Sequence, residues 1–342
     1  MLDIHMFSSA TKVKGQGVGS AYTELVRLLE ERCSDEMMIS VNRYGRADIS
    51  HYHTVDPLFW LSTMRPGHGR RIGYVHFLPE TLEGSLKIPQ PFRGIFYRYV
   101  IAFYRKMDAL VVVNPSFIPK LCAYGIPEER ITYIPNFVSA AEFHEMTPDE
   151  KRAIRLEEHF SADDFVVIGV GQLQERKGVF DFIRLAGRHP EMKFVWVGGF
   201  SFGRMTDGYE ELKKVVDNPP ANLFFPGIVD RNQMNRYYNM ADLFLLPSFN
   251  ELFPMSVLEA CSAGTPVMLR DLPLYHSILS GRYEPCRNLE EMDERIGLLA
   301  SSPERMRELK EQAKAVSQEY SEERLAGIWK DYYRRQAGMC RK

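Results

Sequence analysis

The sequence predicts an α/β protein made of two similar domains. The chain has 342 residues, which is long for one hydrophobic core and sufficient for two. In each half, short apolar runs alternate with amphipathic helical stretches, a pattern typical of a parallel sheet covered by helices on both faces. The pattern restarts at residues 165–171, after a polar stretch at 147–164 that we interpret as a linker.

The composition restricts the class of protein. Hydrophobic residues make up 45% of the chain and charged residues 26%, as in ordinary soluble globular proteins. The net charge of -2 argues against a general nucleic-acid binder, and the five scattered cysteines predict free thiols in a reducing cytosol. No apolar run approaches the roughly 20 residues of a membrane helix, and the first residues do not predict a signal peptide. We therefore expect a cytoplasmic protein that does not span a membrane.

The first half begins with a strand at residues 3–7 and a glycine-rich loop, Gly15-Gln-Gly-Val-Gly19, that leads into a helix. Glycines let a backbone approach a phosphate or sugar closely, but a tight turn explains the same loop. Both interpretations of the loop stay open. The other predicted strands are residues 36–41, 72–76 and 109–114, and the predicted helices are residues 21–31, 92–106 and 117–124.

The second half repeats this alternation. Its predicted strands are residues 165–171, 193–197, 222–225 and 241–248, and its predicted helices are residues 179–187, 209–216 and 231–238. Asp230 and Gln233 resemble a capping box at the start of the third helix. A last helix at 321–335 carries three aromatic residues that we expect to pack on the first domain.

These patterns divide the chain into a first domain at residues 1–150, a second at 164–320, and a segment at 321–342 that returns to the first domain. Two similar α/β domains joined by a linker place a ligand in the cleft between them, near the carboxyl ends of the strands.

Two acids frame the segment Glu251-Leu-Phe-Pro-Met-Ser-Val-Leu-Glu259, which opens a predicted helix. Pro254 suits the first helical position. The N–H groups of Met255, Ser256 and Val257 would then lack intrahelical partners and could bind an anion. Acids on either side of a diphosphate could bind the hydroxyls of the ribose and the hexose in a nucleotide sugar. Acids near a helix start also favour the helix dipole without any ligand, so the spacing alone leaves both interpretations open.

Two cations, Arg176 and Lys177, lie between a predicted strand and a helix start. Cations at this end oppose the helix dipole. A diphosphate held between them and the helix after Pro254 would compensate for this, and solvated loop charges are the alternative.

His76 ends a predicted strand, at the edge that we expect to face the cleft. This position makes it a candidate catalytic residue, although a structural histidine fits the same place. We interpret His51 and His53 as structural. The chain contains no Asp-x-Asp sequence and no clustered His and Cys residues, so we do not expect a metal to bridge a diphosphate.

A basic and aromatic stretch covers residues 91–106, within a region, residues 57–126, that has nine Arg and Lys against three acids. Basic amphipathic helices lie in anionic membrane interfaces. A core-packed helix with a solvated basic face has the same pattern. The candidate membrane or acceptor contacts are Arg93, Phe96, Arg98, Arg105 and Lys106.

In combination, these motifs resemble the family-4 retaining glycosyltransferases, whose GT-B fold has two Rossmann-like domains. The matching segments, in order, are residues 109–114, 131–136, 170–178, 197–199, 225–228 and 241–248, followed by the two glutamates. The opening residues 6–22 also resemble bacterial enzymes that glycosylate diacylglycerol glycolipids.

The resemblance implies a role for each residue of the donor site. Glu259 would bind the ribose of the donor and Glu251 the hexose hydroxyls. Lys177 would bind the diphosphate, assisted by backbone N–H groups near Met255 and Ser256.

On the same resemblance, His76 would lie beside the transferring sugar, and Gly17 and Gly19 would let the first domain close on it. The family usually has arginine where this chain has Gln172, and Arg176 would supply the missing charge. Retention would proceed by front-face attack, in which the leaving phosphate helps to accept the proton of the acceptor.

We therefore predict a retaining, metal-independent hexosyltransferase without a cofactor, bound peripherally to the inner face of the cell membrane. It would move glucose or galactose from a UDP-sugar to a glycolipid such as monoglucosyl-diacylglycerol. Three alternatives stay open: a soluble saccharide or polysaccharide acceptor, a GT-B sugar-nucleotide epimerase, and a non-catalytic membrane-binding module.

Overall fold

The computed structural model describes residues 1–10, 17–82, 90–201, 203, 206 and 208–340. The chain forms two compact units, one comprising Met1–Phe137 with Ser321–Lys342 and the other Val138–Tyr320. Each unit is built on a six-stranded parallel sheet with helices, which confirms the predicted α/β class.

The sheet of the first unit has the order β2-β1-β3-β4-β5-β6. All neighbouring strands are parallel. The sequence did not predict β3, whose four residues, Ile-Ser-His-Tyr, are all buried although two are polar. The strands are β1 (Leu2–Phe7), β2 (Met37–Val41), β3 (Ile49–Tyr52), β4 (Arg70–Val75), β5 (Ala109–Val112) and β6 (Ile131–Tyr133).

The helices described in this part of the chain are α1 (Gly17–Arg32), α2 (Pro57–Ser62), α3 (Gln90–Lys106) and α4 (Phe117–Ala123). Helix α1 begins four residues earlier than predicted. Gly17 and Gly19 therefore lie in its first turn rather than in a loop, which corrects that prediction. Gly15 and Gln16, the start of the predicted loop, lie outside the described residues. Helix α2 was not predicted.

The sheet of the second unit has the order β12-β11-β10-β7-β8-β9, again with parallel neighbours. Its strands are β7 (Val166–Val170), β8 (Lys193–Val197), β9 (Leu223–Gly227), β10 (Leu243–Leu246), β11 (Val267–Arg270) and β12 (Glu284–Cys286). Its helices are α5 (Pro148–Glu157), α6 (Val179–Arg188), α7 (Tyr209–Asp217), α8 (Arg231–Met240), α9 (Met255–Ser262), α10 (Pro273–Leu279), α11 (Leu289–Ser301) and α12 (Pro303–Glu319).

The first unit ends before the predicted boundary at residue 150, because the chain after Phe137 is bound to α8. The backbone N–H groups of His144 and Met146 donate to the side chains of Asn235 and Asn239, at 3.2 and 2.8 Å.

The stretch interpreted as a linker contains α5, which belongs to the second unit. Thr147 and Glu150 form a capping box at its start. Arg155 joins it to the segment between α8 and β10 by donating to the carbonyl of Met240 at 2.8 Å and to Asp242 at 2.7 Å. The capping box predicted at α8 is absent, because the side chain of Asp230 makes no cap hydrogen bond.

The last helix, α13 (Glu322–Cys340), packs on the first unit. Trp329, Tyr332 and Tyr333 are fully buried, as their apolar spacing predicts. The Tyr333 hydroxyl lies 2.8 Å from His51 Nδ1 on β3. Within the described ranges, none of the helices is long and apolar enough to cross a membrane.

Candidate active site

The loop after β7 is held against the end of β10 by a glycine. Gly178 has a φ of 71°, and a Cβ on it would lie 2.2 Å from the carbonyl oxygen of Pro247. Only glycine fits both this close approach and this conformation. The Phe249 N–H also donates to the carbonyl of Arg176 at 2.9 Å. The two predicted cations therefore lie next to the loop that carries Glu251.

Lys177 and Glu251 form a buried ion pair. Lys177 Nζ lies 2.5 Å from Glu251 Oε1, with side chains 13% and 5% exposed. Burial opposes the charged form of Glu251, but the charges of Lys177 and Arg176 outweigh it and lower the pKa of the carboxyl. Burial lowers the pKa of Lys177 although Glu251 counteracts this effect. Lys177, predicted to bind the diphosphate, thus pairs directly with Glu251, predicted to bind the hexose.

Arg176 fixes the loop around this pair. Its Nη1 donates to the carbonyl of Asn250 at 2.9 Å and its Nη2 to the side chain of Gln174 at 3.3 Å. Its Nε is buried and has no hydrogen-bond partner among the residues described. Gln172, where the resemblance implies an arginine, accepts a hydrogen bond from Gln174 at 2.8 Å. Arg176 and Gln172 are therefore linked through Gln174.

Helix α9 begins one residue later than predicted. Pro254 is its N-cap, with φ −73° and ψ 114°, rather than its first helical residue. The Val257 N–H donates to the carbonyl of Pro254 at 3.2 Å, so it is not one of the unpaired groups that the sequence analysis expected. The N–H groups of Met255 and Ser256 precede this first bond, at the helix end that favours anions.

Glu259 lies inside α9, and two residues of α8 bind its carboxylate. Arg231 Nη1 donates to Oε1 at 3.0 Å, and the Tyr238 hydroxyl donates to Oε2 at 2.6 Å. Burial, and then the charge of Glu259, raise the pKa of Tyr238 well above its ordinary value, so Tyr238 is a hydrogen-bond donor at neutral pH. Sequence reasoning missed both partners. Their spacing of seven residues, which places them on one face of a helix, is the signal that could have indicated them.

A second buried ion pair supports the loop that leads to Glu251. Arg270 Nη2 lies 2.5 Å from Asp181 Oδ2, and both side chains are buried. Arg270 Nε also donates to the carbonyl of Pro247 at 3.0 Å. The guanidinium carbon lies 4.1 Å from the centroid of the Phe249 ring, a cation–π contact. These contacts attach the end of β10 to β11 and α6.

His76 directly follows β4 in the first unit and is buried. Its Nε2 lies 3.5 Å from His53 Nδ1, and the rings of His53 and His51 are 4.2 Å apart. Burial lowers the pKa of His76 to about 3, so its imidazole is neutral at physiological pH. His51 and His53 are buried as well.

Helix α3 presents part of its predicted basic face to solvent. Arg98, Arg105 and Lys106 are exposed, whereas Arg93 and Phe96 are half-buried. Among the side chains that the structure describes, no three His, Cys, Asp or Glu residues are grouped so that they could hold a metal ion.

Comparison with known proteins identifies the family. Residues 21–142 match the model described as Glycosyltransferase Family 4, and residues 150–316 match Glycosyl transferases group 1. The chain is 53% identical over all its 342 residues to the alpha-galactosylglucosyldiacylglycerol synthase of Streptococcus pneumoniae, covering 91% of that protein. The chain belongs to glycosyltransferase family 4. A second relative of this glycosyltransferase, the processive diacylglycerol alpha-glucosyltransferase of Acholeplasma laidlawii, is 30% identical over 54% of each chain.

Solved structures agree with the fold of this glycosyltransferase. Sucrose-phosphate synthase from Thermosynechococcus elongatus has a TM-score of 0.79, covering 98% of this chain and 99% of that chain at 15% identity. HepE of Anabaena, solved in complex with UDP and glucose, has a TM-score of 0.77 at 13% identity, covering 97% of this chain and 99% of that chain. At such low identities the likeness concerns the fold alone.

Proposed function

We propose that this enzyme transfers a galactosyl or glucosyl residue from a UDP-hexose to a glucosyl-diacylglycerol. The observation that carries this proposal is the 53% identity, over the whole chain, to a synthase named for its product galactosylglucosyldiacylglycerol. The relative named as a diacylglycerol glucosyltransferase supports the same class of acceptor.

The contacts in the second unit support the assignment of the donor. Glu251 would accept hydrogen bonds from hexose hydroxyls while Lys177, paired with it at 2.5 Å, neutralises the diphosphate. The N–H groups of Met255 and Ser256 would bind the same phosphates. Glu259, oriented by Arg231 and Tyr238, would accept from the ribose hydroxyls.

His76 is the catalytic residue that we propose in the first unit. As a neutral imidazole it can donate one hydrogen bond and accept another, which suits a group beside a sugar hydroxyl. Gly17 and Gly19, at the start of α1, remain our candidates for the backbone that approaches the donor. Arg176 acts through the loop, because it holds the carbonyl of the residue before Glu251.

We further propose a retaining, metal-independent reaction. Lys177 and the α9 N–H groups would stabilise the negative charge that develops on the leaving diphosphate, which is the main requirement for breaking the bond between the hexose and the diphosphate oxygen. The acceptor hydroxyl would attack from the face that the diphosphate leaves, and its proton would pass to a phosphate oxygen.

A lipid acceptor would require the enzyme to work at a membrane surface. We propose peripheral binding to an anionic surface, on the inner face of the cell membrane, through the exposed cations Arg98, Arg105 and Lys106 of α3. The negative net charge of -2 makes nucleic acid an unfavourable partner.

The test is a donor-by-acceptor screen with purified protein. UDP-galactose and UDP-glucose are each incubated with glucosyl-diacylglycerol in detergent micelles, with and without a chelator, and products are identified by mass spectrometry. We expect a dihexosyl-diacylglycerol that forms equally with the chelator and that the Glu251→Ala variant does not make. Transfer to soluble saccharides alone would overturn the lipid acceptor. Formation of a free epimeric UDP-sugar without any acceptor would overturn the transferase reaction.

A further inference from the structure

The chain enters the second unit through a short turn that packs on α8. We call residues 139–143, which lie at the start of that unit, the connecting turn. The carbonyl of Ser139 accepts hydrogen bonds from the N–H groups of Glu142 at 3.2 Å and Phe143 at 2.9 Å. The Ser139 hydroxyl accepts a third bond from the N–H of Ala141 at 3.2 Å. A serine that bonds the backbone two residues further on is typical of a stable turn, so Glu142 and Phe143 are held in defined positions.

Phe143 contacts both residues that bind the carboxylate of Glu259. The guanidinium carbon of Arg231 lies 4.9 Å from the centroid of the Phe143 ring, a cation–π contact. The ring of Tyr238 lies edge-on to the same ring, with the centroids 5.9 Å apart. Phe143 is only 1% exposed, and a closely packed ring in this position limits where its two neighbours can lie.

Glu142 holds the same arginine through a second carboxylate. Arg231 Nε donates to Glu142 Oε2 at 2.9 Å, while Arg231 Nη1 donates to Glu259 Oε1 at 3.0 Å. Two carboxylates that bind different nitrogens of one planar guanidinium fix its orientation. The Arg231 side chain is 34% exposed, so water competes for it, and the bond to Glu142 opposes its rotation into solvent.

We propose that Glu142 and Phe143 are positioning residues for the recognition of ribose. They fix Arg231 and Tyr238, which in turn orient the carboxylate of Glu259. This deepens the proposed function and rests on it, because that function assigns the ribose hydroxyls of the donor to Glu259. A carboxylate that is oriented before the ligand arrives loses less freedom on binding. Damage to the connecting turn should therefore weaken nucleotides that carry the ribose hydroxyls more than nucleotides that lack them.

Calorimetry with the full-length protein tests this role, using UDP and dideoxy-UDP, which lacks both ribose hydroxyls. We expect the wild-type protein to bind UDP more tightly than dideoxy-UDP. Glu142→Ala and Phe143→Leu should each raise the Kd for UDP by about three- to fivefold and leave the Kd for dideoxy-UDP nearly unchanged. In turnover, the KM for the UDP-hexose should rise while kcat stays close to the wild-type value, because Glu259 binds the ribose and not the reacting atoms.

Three comparisons separate positioning from a general effect on the fold. Glu157→Ala is the matched control, because Glu157 pairs with Arg236, a residue of the same helix that is also 34% exposed, and it should bind UDP like the wild type. Glu142→Gln keeps an oxygen that can accept from Arg231 Nε and should retain most of the affinity. In a Glu259→Gln background, Glu142→Ala should have no further effect on the Kd for UDP, since it acts through Glu259. Circular dichroism shows that each variant is folded.

The outcomes also separate this inference from the proposed function. If Glu142→Ala and Phe143→Leu kept the wild-type preference for UDP over dideoxy-UDP, the positioning role would be rejected and the proposed function would stand. Equal weakening of both nucleotides would likewise reject it, because the effect would not concern the ribose. If the wild-type protein bound both nucleotides equally, the assignment of ribose to Glu259 would fail, and the positioning role with it.

Discussion

Acid should selectively destabilise the first unit, because three buried histidines lie in β3 or directly after β3 and β4. His51, His53 and His76 are 0%, 2% and 5% exposed. Burial, which disfavours the charged form, lowers the pKa of His51 and of His76 to about 3, and lowers the pKa of His53 as well. In the unfolded chain each would titrate near the ordinary value of about 6.5.

The number of protons bound by each state decides whether the free energy of unfolding rises or falls with pH. Between pH 6.5 and pH 3 the unfolded chain binds more protons than the folded unit, so the free energy of unfolding falls as the pH falls. At pH 5, pKa values of about 3 and 6.5 give a loss of about 2 kcal/mol per histidine, or about 4 kcal/mol for His51 and His76 together. His53 adds to this loss. Since domains are stable by only about 5–15 kcal/mol, a large part of the stability of this unit would be lost.

Hydrogen exchange followed by mass spectrometry measures the loss in each unit separately. Peptides from β3 and β4 are compared with peptides from β7 and β8 at pH 7.5 and 5.0, after correction for intrinsic exchange rates. A loss of 4 kcal/mol corresponds to a roughly 1000-fold fall in the protection of β3 and β4. The strands β7 and β8 should keep more of their protection.

Variants identify the groups responsible. His53→Phe keeps a ring that stacks on Tyr74, whose centroid is 4.8 Å away, and removes the titration. It should reduce the pH dependence by up to one proton, or about 1.4 kcal/mol per pH unit. His159→Asn is the control, because His159 is exposed and its φ of 63° is tolerated by asparagine. If both units lost protection equally, or if His53→Phe kept the wild-type pH dependence, the reasoning would be refuted.

Three further predictions concern the second unit. Gly178→Ala should lower the free energy of unfolding in urea by at least about 2 kcal/mol, because the new Cβ meets the carbonyl of Pro247. The control is Gly281→Ala, which has a φ of 77° and open space around it and should lower the free energy of unfolding by about 1 kcal/mol. Glu251→Gln should abolish measurable turnover and lower stability by about 3–5 kcal/mol, because it leaves Lys177 buried without its partner. Adding Lys177→Met should restore part of the stability and none of the activity, and restored turnover would contradict the assigned roles. Tyr238→Phe removes only the 2.6 Å hydrogen bond from Tyr238 that helps to orient Glu259. It should therefore raise the KM for the UDP-sugar several-fold with little change in kcat. A change in kcat alone would argue against ribose binding at Glu259.

Predictions from the sequence were most accurate where a local signal decides the structure. The strand at residues 193–197 is an apolar run buried within the sheet, and its predicted bounds agree with β8. The helix at 209–216 differs from α7 by one residue. In contrast, β3 and α2 were missed, because β3 is half polar in sequence and α2 has only six residues. Neither carries a periodic pattern long enough to be distinguished from a loop.

Three smaller predictions were wrong where local sequence did not decide the contacts. The stretch at 147–164 has the composition of a polar linker, yet Arg155 binds it to the end of α8 and to Asp242, the residue before β10. Asp230 has the sequence of a helix cap, but its side chain makes no cap bond. Pro254 was predicted inside α9, but its ψ of 114° is extended and makes it the N-cap instead.

The sequence by itself determined the α/β class, the family, and the candidate residues of the donor site, because these depend on periodicity and on short motifs. Only the tertiary structure decided that Lys177 pairs with Glu251, that Arg231 and Tyr238 orient Glu259, and that Leu58 and Leu61 of α2 stay exposed. These contacts join side chains between 21 and 74 residues apart in the chain, or depend on which face of a short helix remains uncovered. A local pattern carries neither kind of information, because the packing of whole elements determines both.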